Sequence, residues 1–322
     1  MNRPGIPHQL DIWNHNDEAG SAPRPDARPV RLPRSIKRRK EGAGAPLAAV
    51  ALGTGSTGNA YVVIHGETKL LIDCGLGIRD LTRRLLAVGL EPKQLTAIVL
   101  THGHDDHVRG VVRAAREGDG ISIYATAKSY QAALAKAPET SQPHAPPVHN
   151  EIRAGKTFAI GSIEVTPMAV PHDWPSTLGF VFSDGGGRRI GLATDVGWAE
   201  EKLLDGLSKC DLIFYEFNHD ADLLRIGPYP PYLKMRVAGP GGHLANDAAA
   251  ESLGRLLGAD AKRLVAVHLS RTNNRTHLVE DVLARSLERL GSRIPTYISL
   301  HDHPTPLFAA VETGINEEEN IS

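Results

Sequence analysis

Cysteine is scarce in this chain: Cys74 and Cys210 are the only two in 322 residues, which excludes a disulfide framework. Both lie in apolar, strand-like contexts, so buried free thiols are expected, suited to a reducing compartment such as the cytoplasm. Also missing is any apolar run long enough to cross a bilayer, and no basic region followed by an apolar one resembles a secretion signal. No membrane partner is therefore expected. A formal net charge of −1 removes any global electrostatic case for nucleic acid. No internal sequence repeat is evident either. In bulk, 41% hydrophobic residues is ordinary for a soluble globular protein, and the length fits one catalytic domain with embellishments.

Composition shifts divide the chain. Residues 1 to 45 are rich in Pro, Gly and Arg and carry a basic knot at Arg34, Lys37, Arg38, Arg39 and Lys40 with no apolar periodicity, which predicts a disordered basic arm. A nucleic-acid tether and a solvated tail are both open readings, and the tail is favoured. Residues 312 to 322 form an acidic, flexible tail. The catalytic domain is expected between them, over 46 to 311.

Within that domain, short apolar runs at 47–52, 60–65 and 69–72, separated by glycine turns, predict an antiparallel meander. A helix is expected over 78–88, a buried strand over 97–100, and a helix from 106 to 117. Further strands fit 122–124, 157–160, 163–169, 177–182, 189–193, 212–215, 264–267 and 296–300. Helices fit 199–207, 247–257 and 276–290. Strand runs with interspersed helices favour a layered α/β sandwich over an all-β barrel.

The most informative stretch is Thr101-His102-Gly103-His104-Asp105-Asp106-His107, where three imidazoles and a carboxylate follow directly on an apolar strand. In the turn, His102 and His104 can point the same way and grip one cation; Asp106 and His107, one helical step on, can face a second. An anionic Asp106 offsets the positive end of the helix it opens. Polar residues recur at other strand ends: Asp73 before a glycine turn, His172 after the 163–169 strand, Asp195 after the 189–193 strand, and His268 after the 264–267 strand. Ends of central strands are where active sites gather in layered α/β folds. The expected constellation is His102, His104 and His172 on one metal, with Asp106, His107 and His268 on the other, Asp195 bridging, and Asp73 orienting a ligand. Two divalent ions, Zn or Mn, held this way activate water and stabilise an anionic transition state.

This combination of Asp73, the His-x-His-x-Asp-His run, His172, Asp195 and His268 resembles the metallo-β-lactamase superfamily over roughly residues 47 to 310. The resemblance implies a four-layer αβ/βα sandwich with a dinuclear site at its edge. Flavodiiron members carry a carboxylate at the position of His104, so a histidine there favours hydrolysis over redox chemistry. Further stretches, Thr54-Gly55-Ser56-Thr57-Gly58-Asn59, Glu216-Phe217-Asn218-His219-Asp220, Tyr229-Pro230 with Leu233-Lys234 and Arg236, Gly242-His243-Leu244-Ala245-Asn246, and His268-Leu269-Ser270 with Asn273-Asn274, resemble the WalJ/YycJ branch. That branch implies a metal-dependent 5′-to-3′ exonuclease on double-stranded DNA with a proposed repair role. Three positions depart from its pattern: Gly103 stands for a usual glutamate, Val196 for a threonine and Ala245 for a serine.

With that reading, Asp106 and Asp195 position the nucleophile, and His243 protonates the leaving oxygen or contacts phosphate, a backbone-bonded helix entry being equally open. Lys234 and Arg236 suit phosphate, with surface ion pairing as the alternative. Ser56 and Asn59 offer donors near the pocket or simply form a turn. His219 reaches the site or belongs to a helix cap with Asp220; Asn273 and Asn274 are substrate candidates. His144, His149, His301 and His303 are expected not to ligate. A small-molecule hydrolase acting on a lactone, thioester or cyclic phosphodiester is the runner-up, and a non-catalytic binding protein comes third.

Overall fold

Alternation along the first strands sets the architecture. In a computed structural model, which describes residues 44–137 and 145–310, strand β1 (Ala48–Gly53) turns Ala49 and Ala51 to one apolar cluster and Val50 and Leu52 to another. A strand buried on both faces, with side chains alternating between two cores, must be an inner layer. It pairs antiparallel with β2 (Ala60–His65), which pairs antiparallel with β3 (Thr68–Ile72), the expected meander. Parallel strands β4 (Ala97–Val99), β5 (Ser122–Ala125) and β6 (His149–Glu151) extend this sheet on one side, and β14 (Phe308–Ala309) closes the other.

The second sheet runs in the order β13 (Thr296–Ile298), β12 (Arg263–Val267), β11 (Leu212–Glu216), β10 (Arg189–Ala193), β9 (Leu178–Ser183), β8 (Ile163–Ala169) and β7 (Phe158–Ile160). Strands β10 to β13 are parallel, and β8 and β10 are both antiparallel to β9, so β8, β10, β11 and β12 end on one side. Tyr61, Leu70, Ile72, Phe180, Phe182, Ile190, Leu212, Phe214 and Val265 fill the space between the sheets. Outside the first sheet, α1 (Ile78–Ala87), α3 (Val111–Glu117) and α4 (Ala127–Ala135) bury Leu81, Leu85, Val111, Ala115 and Ala133. Outside the second, α5 (Glu201–Leu207), α8 (Asn246–Leu256) and α9 (Thr276–Leu290) bury Leu203, Leu207, Leu253, Val279 and Leu283. The result is the expected four-layer αβ/βα sandwich.

Several expectations need correcting. The helix expected from 106 to 117 is two pieces, α2 (Asp105–Val108) and α3, because Gly110 N leaves the helical pattern to donate to Cys74 O at 2.7 Å. His149, expected in a loop, lies on the polar edge strand β6. Helix α6 (Ala221–Ile226) is the one expected to follow a cap at Asp220, whereas α7 (Pro231–Ala238) was not foreseen, since it buries none of its residues and so lacks an apolar stripe. The basic arm through residue 43, the acidic tail over 312–322, and His144 lie outside the described residues. Both cysteines are free and buried, as expected. Among the described residues, no helix is long and apolar enough to cross a membrane.

Candidate metal centre

The site lies where strands of both sheets end. Asp73 follows β3, the His102–His107 turn follows β4, His172 follows β8, Asp195 follows β10, Glu216 ends β11 and His268 follows β12. Asp73, Asp195 and His268 have φ of 57°, 56° and 61°. Non-glycine residues enter this left-handed region at a cost of order 1 to 3 kcal/mol each, and such strain concentrates at functional sites. The turn at Gly75 admits no side chain, because a Cβ there would stand 1.7 Å from the Asp106 carbonyl oxygen. Close approach at that point brings the β3 turn under α2.

His102 Nε2 lies 3.0 Å from His104 Nδ1, which lies 3.2 Å from His172 Nε2. Donor atoms around one tetrahedral ion at about 2.1 Å sit about 3.4 Å apart, so these three nitrogens have the spacing of a shared ligand set. On the other side, Asp106 Oδ2 lies 3.7 Å from both His107 Nε2 and His268 Nε2. Asp195 stands between the groups: Oδ2 is 3.2 Å from His107 Nε2, and Oδ1 is 3.6, 3.8 and 4.0 Å from the Nε2 atoms of His268, His172 and His102. The seven side chains named from sequence thus converge in two adjacent sets. Asp195 Oδ2 and His268 Nε2 are buried with no hydrogen-bond partner, as atoms awaiting a cation would be.

Every one of these imidazoles has its other nitrogen aimed at an acceptor. His107 Nδ1 donates to Asp73 Oδ2 at 2.8 Å, His172 Nδ1 to Gly242 O at 3.0 Å, and His268 Nδ1 to Glu216 Oε1 at 2.7 Å. Thr101 gives its hydroxyl hydrogen to Asp73 Oδ2 and accepts from His102 Nδ1 at 3.0 Å. His104 Nε2 lies 3.5 Å from Asp173 Oδ1. These contacts fix the tautomers and turn the remaining lone pairs inward. The residues present fit two divalent ions.

Electrostatics agree with that fit. Burial pushes the imidazoles of His102 and His172 down, and His104 down to about 4, so this trio is neutral and ready to donate lone pairs. Burial likewise lowers His107 and His268, yet the surrounding carboxylates outweigh it. Asp195, Asp106 and Asp73 hold His107 well above its usual range, and Asp195 with Glu216 lifts His268 to about 10. Asp195 is held far down, because His268, His107 and His102 overcome the burial that would raise it. Four buried or half-buried carboxylates therefore demand the positive charge that cations supply.

Sequence reasoning left Glu216 without a role. It is fully buried, its Oε1 accepts from His268 Nδ1, His243 Nδ1 and Asp195 N, and its Oε2 accepts from Val196 N and Leu244 N. The same strand-end rule that found Asp195 and His268 applies to it. His243 rests on Glu216 at 3.0 Å with its ring centroid 5.2 Å from those of both His172 and His268, on the open side of the site. Trp174 was also missed. Its ring meets His104 edge-on and occupies the space beside Gly103, where a Cβ would stand 2.2 Å from Trp174 Cζ2.

The remaining candidates divide. Asn59 is buried, with Nδ2 3.0 Å from His107 Nε2 and 3.3 Å from Asp106 Oδ2, so it touches the second ligand set. Ser56 is half-buried on the same turn. Asn273 is buried with neither side-chain atom partnered, and His219 is buried with Nδ1 unpartnered. Asp220 caps α6 by accepting from Leu223 N at 2.8 Å. Asn274 as a substrate contact needs correcting: its amide donates to Phe217 O, Asn218 O and Asn246 Oδ1, and its oxygen accepts from Asn246 Nδ2 and Arg275 N, so it is committed to the scaffold. Lys234 Nζ donates to Arg225 O at 2.8 Å, and Arg236 Nε donates to Asp173 Oδ2 at 2.6 Å on the rim. His149 bonds to Ala125 O and His301 to Leu269 O, away from the ligand sets.

Comparison with known proteins agrees with this geometry. A family model described as a β-lactamase superfamily domain matches residues 68–269. The chain belongs to the metallo-β-lactamase superfamily. Within it, the chain is 33% identical over 267 residues to exodeoxyribonuclease WalJ of Streptococcus pneumoniae serotype 2 (strain D39), covering 80% of this chain and 95% of that protein. It is 30% identical over 252 residues to exodeoxyribonuclease YycJ of Bacillus anthracis, covering 78% and 93%. Among solved structures, the metallo-β-lactamase fold protein YhfI from Bacillus subtilis superposes with a TM-score of 0.59 at 18% identity, covering 81% of this chain and 99% of that one, a likeness of fold. Membership in this superfamily, in its WalJ/YycJ branch, makes the protein a metal-dependent hydrolase.

Proposed function

We propose that this superfamily member is a two-metal phosphodiesterase acting as a 5′-to-3′ exonuclease on double-stranded DNA, with a role in repair in the cytoplasm. The observation that carries the reading is the pairing of His243 with Glu216 at the open side of a complete two-set ligand cluster. The alignment with proteins named exodeoxyribonucleases over nearly their whole length supports the substrate class.

His102, His104 and His172 would hold one ion, Asp106, His107 and His268 would hold the other, and Asp195 would serve both; zinc or manganese would suit this nitrogen and oxygen set. When bound, two such ions lower the pKa of a coordinated water and neutralise charge on phosphate oxygens. The chain's own residues do the rest. Asp106 and Asp195 orient the attacking water, and Glu216 holds His243 so that its free Nε2 faces the leaving oxygen and gives it a proton. Arg236 on the rim and Lys234 behind it supply positive charge to the phosphate chain, and Ser56, Asn273 and His219 offer unused hydrogen-bonding capacity nearby.

The test is direct. Stripped of metal and reloaded with zinc or manganese, the protein should shorten 5′-phosphorylated duplex DNA, and a chelator should stop it. Hydrolysis of a lactone, thioester or cyclic phosphodiester with DNA untouched would overturn the nuclease reading and favour a small-molecule hydrolase.

A further inference from the structure

Between Glu216 and His243 the chain makes a detour through α6 and α7 that the metal centre does not use. Helix α7 buries none of its residues, and Tyr232 and Met235 on it are 54% and 70% exposed. Exposed apolar side chains grouped on one face mark an interaction surface. Helix α7 is stitched to the site: Arg236 Nε binds Asp173 Oδ2, Asp173 N donates to Gly241 O at 2.9 Å, and His243 N donates to Val237 O at 2.9 Å. Tyr232, Met235 and Arg236 stand three and four residues apart, so they line one face, with Tyr232 one helical turn before Arg236 at the rim. Trp198, 48% exposed, follows Gly197, whose amide donates to Pro171 O at 2.7 Å beside His172.

Charge identifies the occupant. From Leu223 to Asn246 the sequence has no Asp or Glu and three cations, Arg225, Lys234 and Arg236, in a chain whose net charge is −1. Arg225 is paired with Asp222 and Arg236 with Asp173 at the rim, whereas Lys234, among the described residues, meets only a backbone carbonyl, that of Arg225. Exposed apolar and aromatic side chains beside such a cation suit a single nucleic-acid strand, whose bases stack on the apolar face while a phosphate meets the ammonium. A second protein copy would meet the same exposed side chains, but the face is continuous with the rim of the phosphodiester site and carries Lys234 without a carboxylate partner among the described residues, which favours the polyanion.

Resting on the nuclease reading above, we propose that α7, with Tyr232, Met235 and Trp198, binds the terminal nucleotides of DNA as an unpaired strand, so that the duplex end is opened before it is cut. The face makes no use of paired bases, whose stacking surfaces are hidden in a duplex. A blunt, fully paired end is therefore a poorer ligand than one with a few unpaired 5′ nucleotides.

The experiment compares the metal-loaded protein with its Tyr232→Ala/Met235→Ala variant. Binding is read by fluorescence anisotropy on phosphorothioate-capped duplexes that resist cleavage, one blunt and one with a short unpaired 5′ end. Wild type should prefer the unpaired end, and the variant should lose about tenfold or more on that ligand, with its thermal midpoint unchanged because both side chains are exposed. Equal binding by variant and wild type would overturn the proposal while leaving the nuclease reading intact. So would a dimer, seen by sedimentation, that the variant abolishes without weakening DNA binding. Wild-type protein that neither binds nor cuts any DNA would overturn both.

Discussion

Glu216 accepts hydrogen bonds from two imidazoles and three backbone amides, and so joins the ligand His268 to His243 and to the turn carrying Asp195. Burial would raise its carboxyl, but His243 and His268 pull it down to about 2, so it is ionised throughout the working range. Replacing it with glutamine keeps the shape and loses the charge. Glu216→Gln should weaken metal binding about 10- to 100-fold, measured by competition with a chromophoric chelator; an unchanged affinity would show that Glu216 does not orient His268. At His219, burial pushes the imidazole down to about 4. The unfolded side chain titrates near 6.5, so the folded state binds fewer protons below that pH. The stability this group permits is complete above about 6.5 and is lost as pH falls from there towards about 4, on the order of 3 kcal/mol in all. Urea unfolding of His219→Asn should show a flatter decline than wild type across that window, whereas parallel declines would place the titration elsewhere.

Elements differ in how plainly their sequences announce them. The meander, β8, β10 and α9 fall where alternation and helical spacing put them, because each buries a face and burial imposes a period. The metal ligands were legible for a related reason: a polar residue that ends an apolar strand is visible as a break in that period, at Asp73, His102, His172, Asp195 and His268. Glu216 follows the same rule but borders a run of polar residues, Asn218, His219 and Asp220, which hid its connection to His243. Helix α7 was not legible because nothing in it is buried, and Trp174 was not legible because its partner is a glycine distant in sequence. Gly75 shows how tightly an element is held. Gly75→Ala should push the Asp106 carbonyl and α2 out of place, costing about 2 to 4 kcal/mol in denaturant unfolding and lowering metal occupancy; wild-type stability would mean that the β3 turn yields without moving α2.

At the scale of the whole molecule, an apolar layer lies between the two sheets, and the polar side chains of the site meet where strands of both sheets end. Asp195 and His268 come from one sheet, and His102 and His107 from the other. Ions held there bind the folded state and not the unfolded chain, so their removal by chelator should lower the thermal midpoint by an amount that grows with the metal concentration first supplied. A midpoint independent of metal would contradict a centre that ties the sheets together. The central claim is that this tie is also the reaction centre of a nuclease. Its most direct test is a substrate panel with metal-loaded wild type and a His104→Ala/Asp106→Ala variant, using 5′-phosphorylated duplex DNA, single-stranded DNA, RNA, a lactone and a thioester. The account predicts chelator-sensitive shortening of the duplex by wild type, abolished in the folded variant; untouched nucleic acids alongside a hydrolysed lactone or thioester would contradict it.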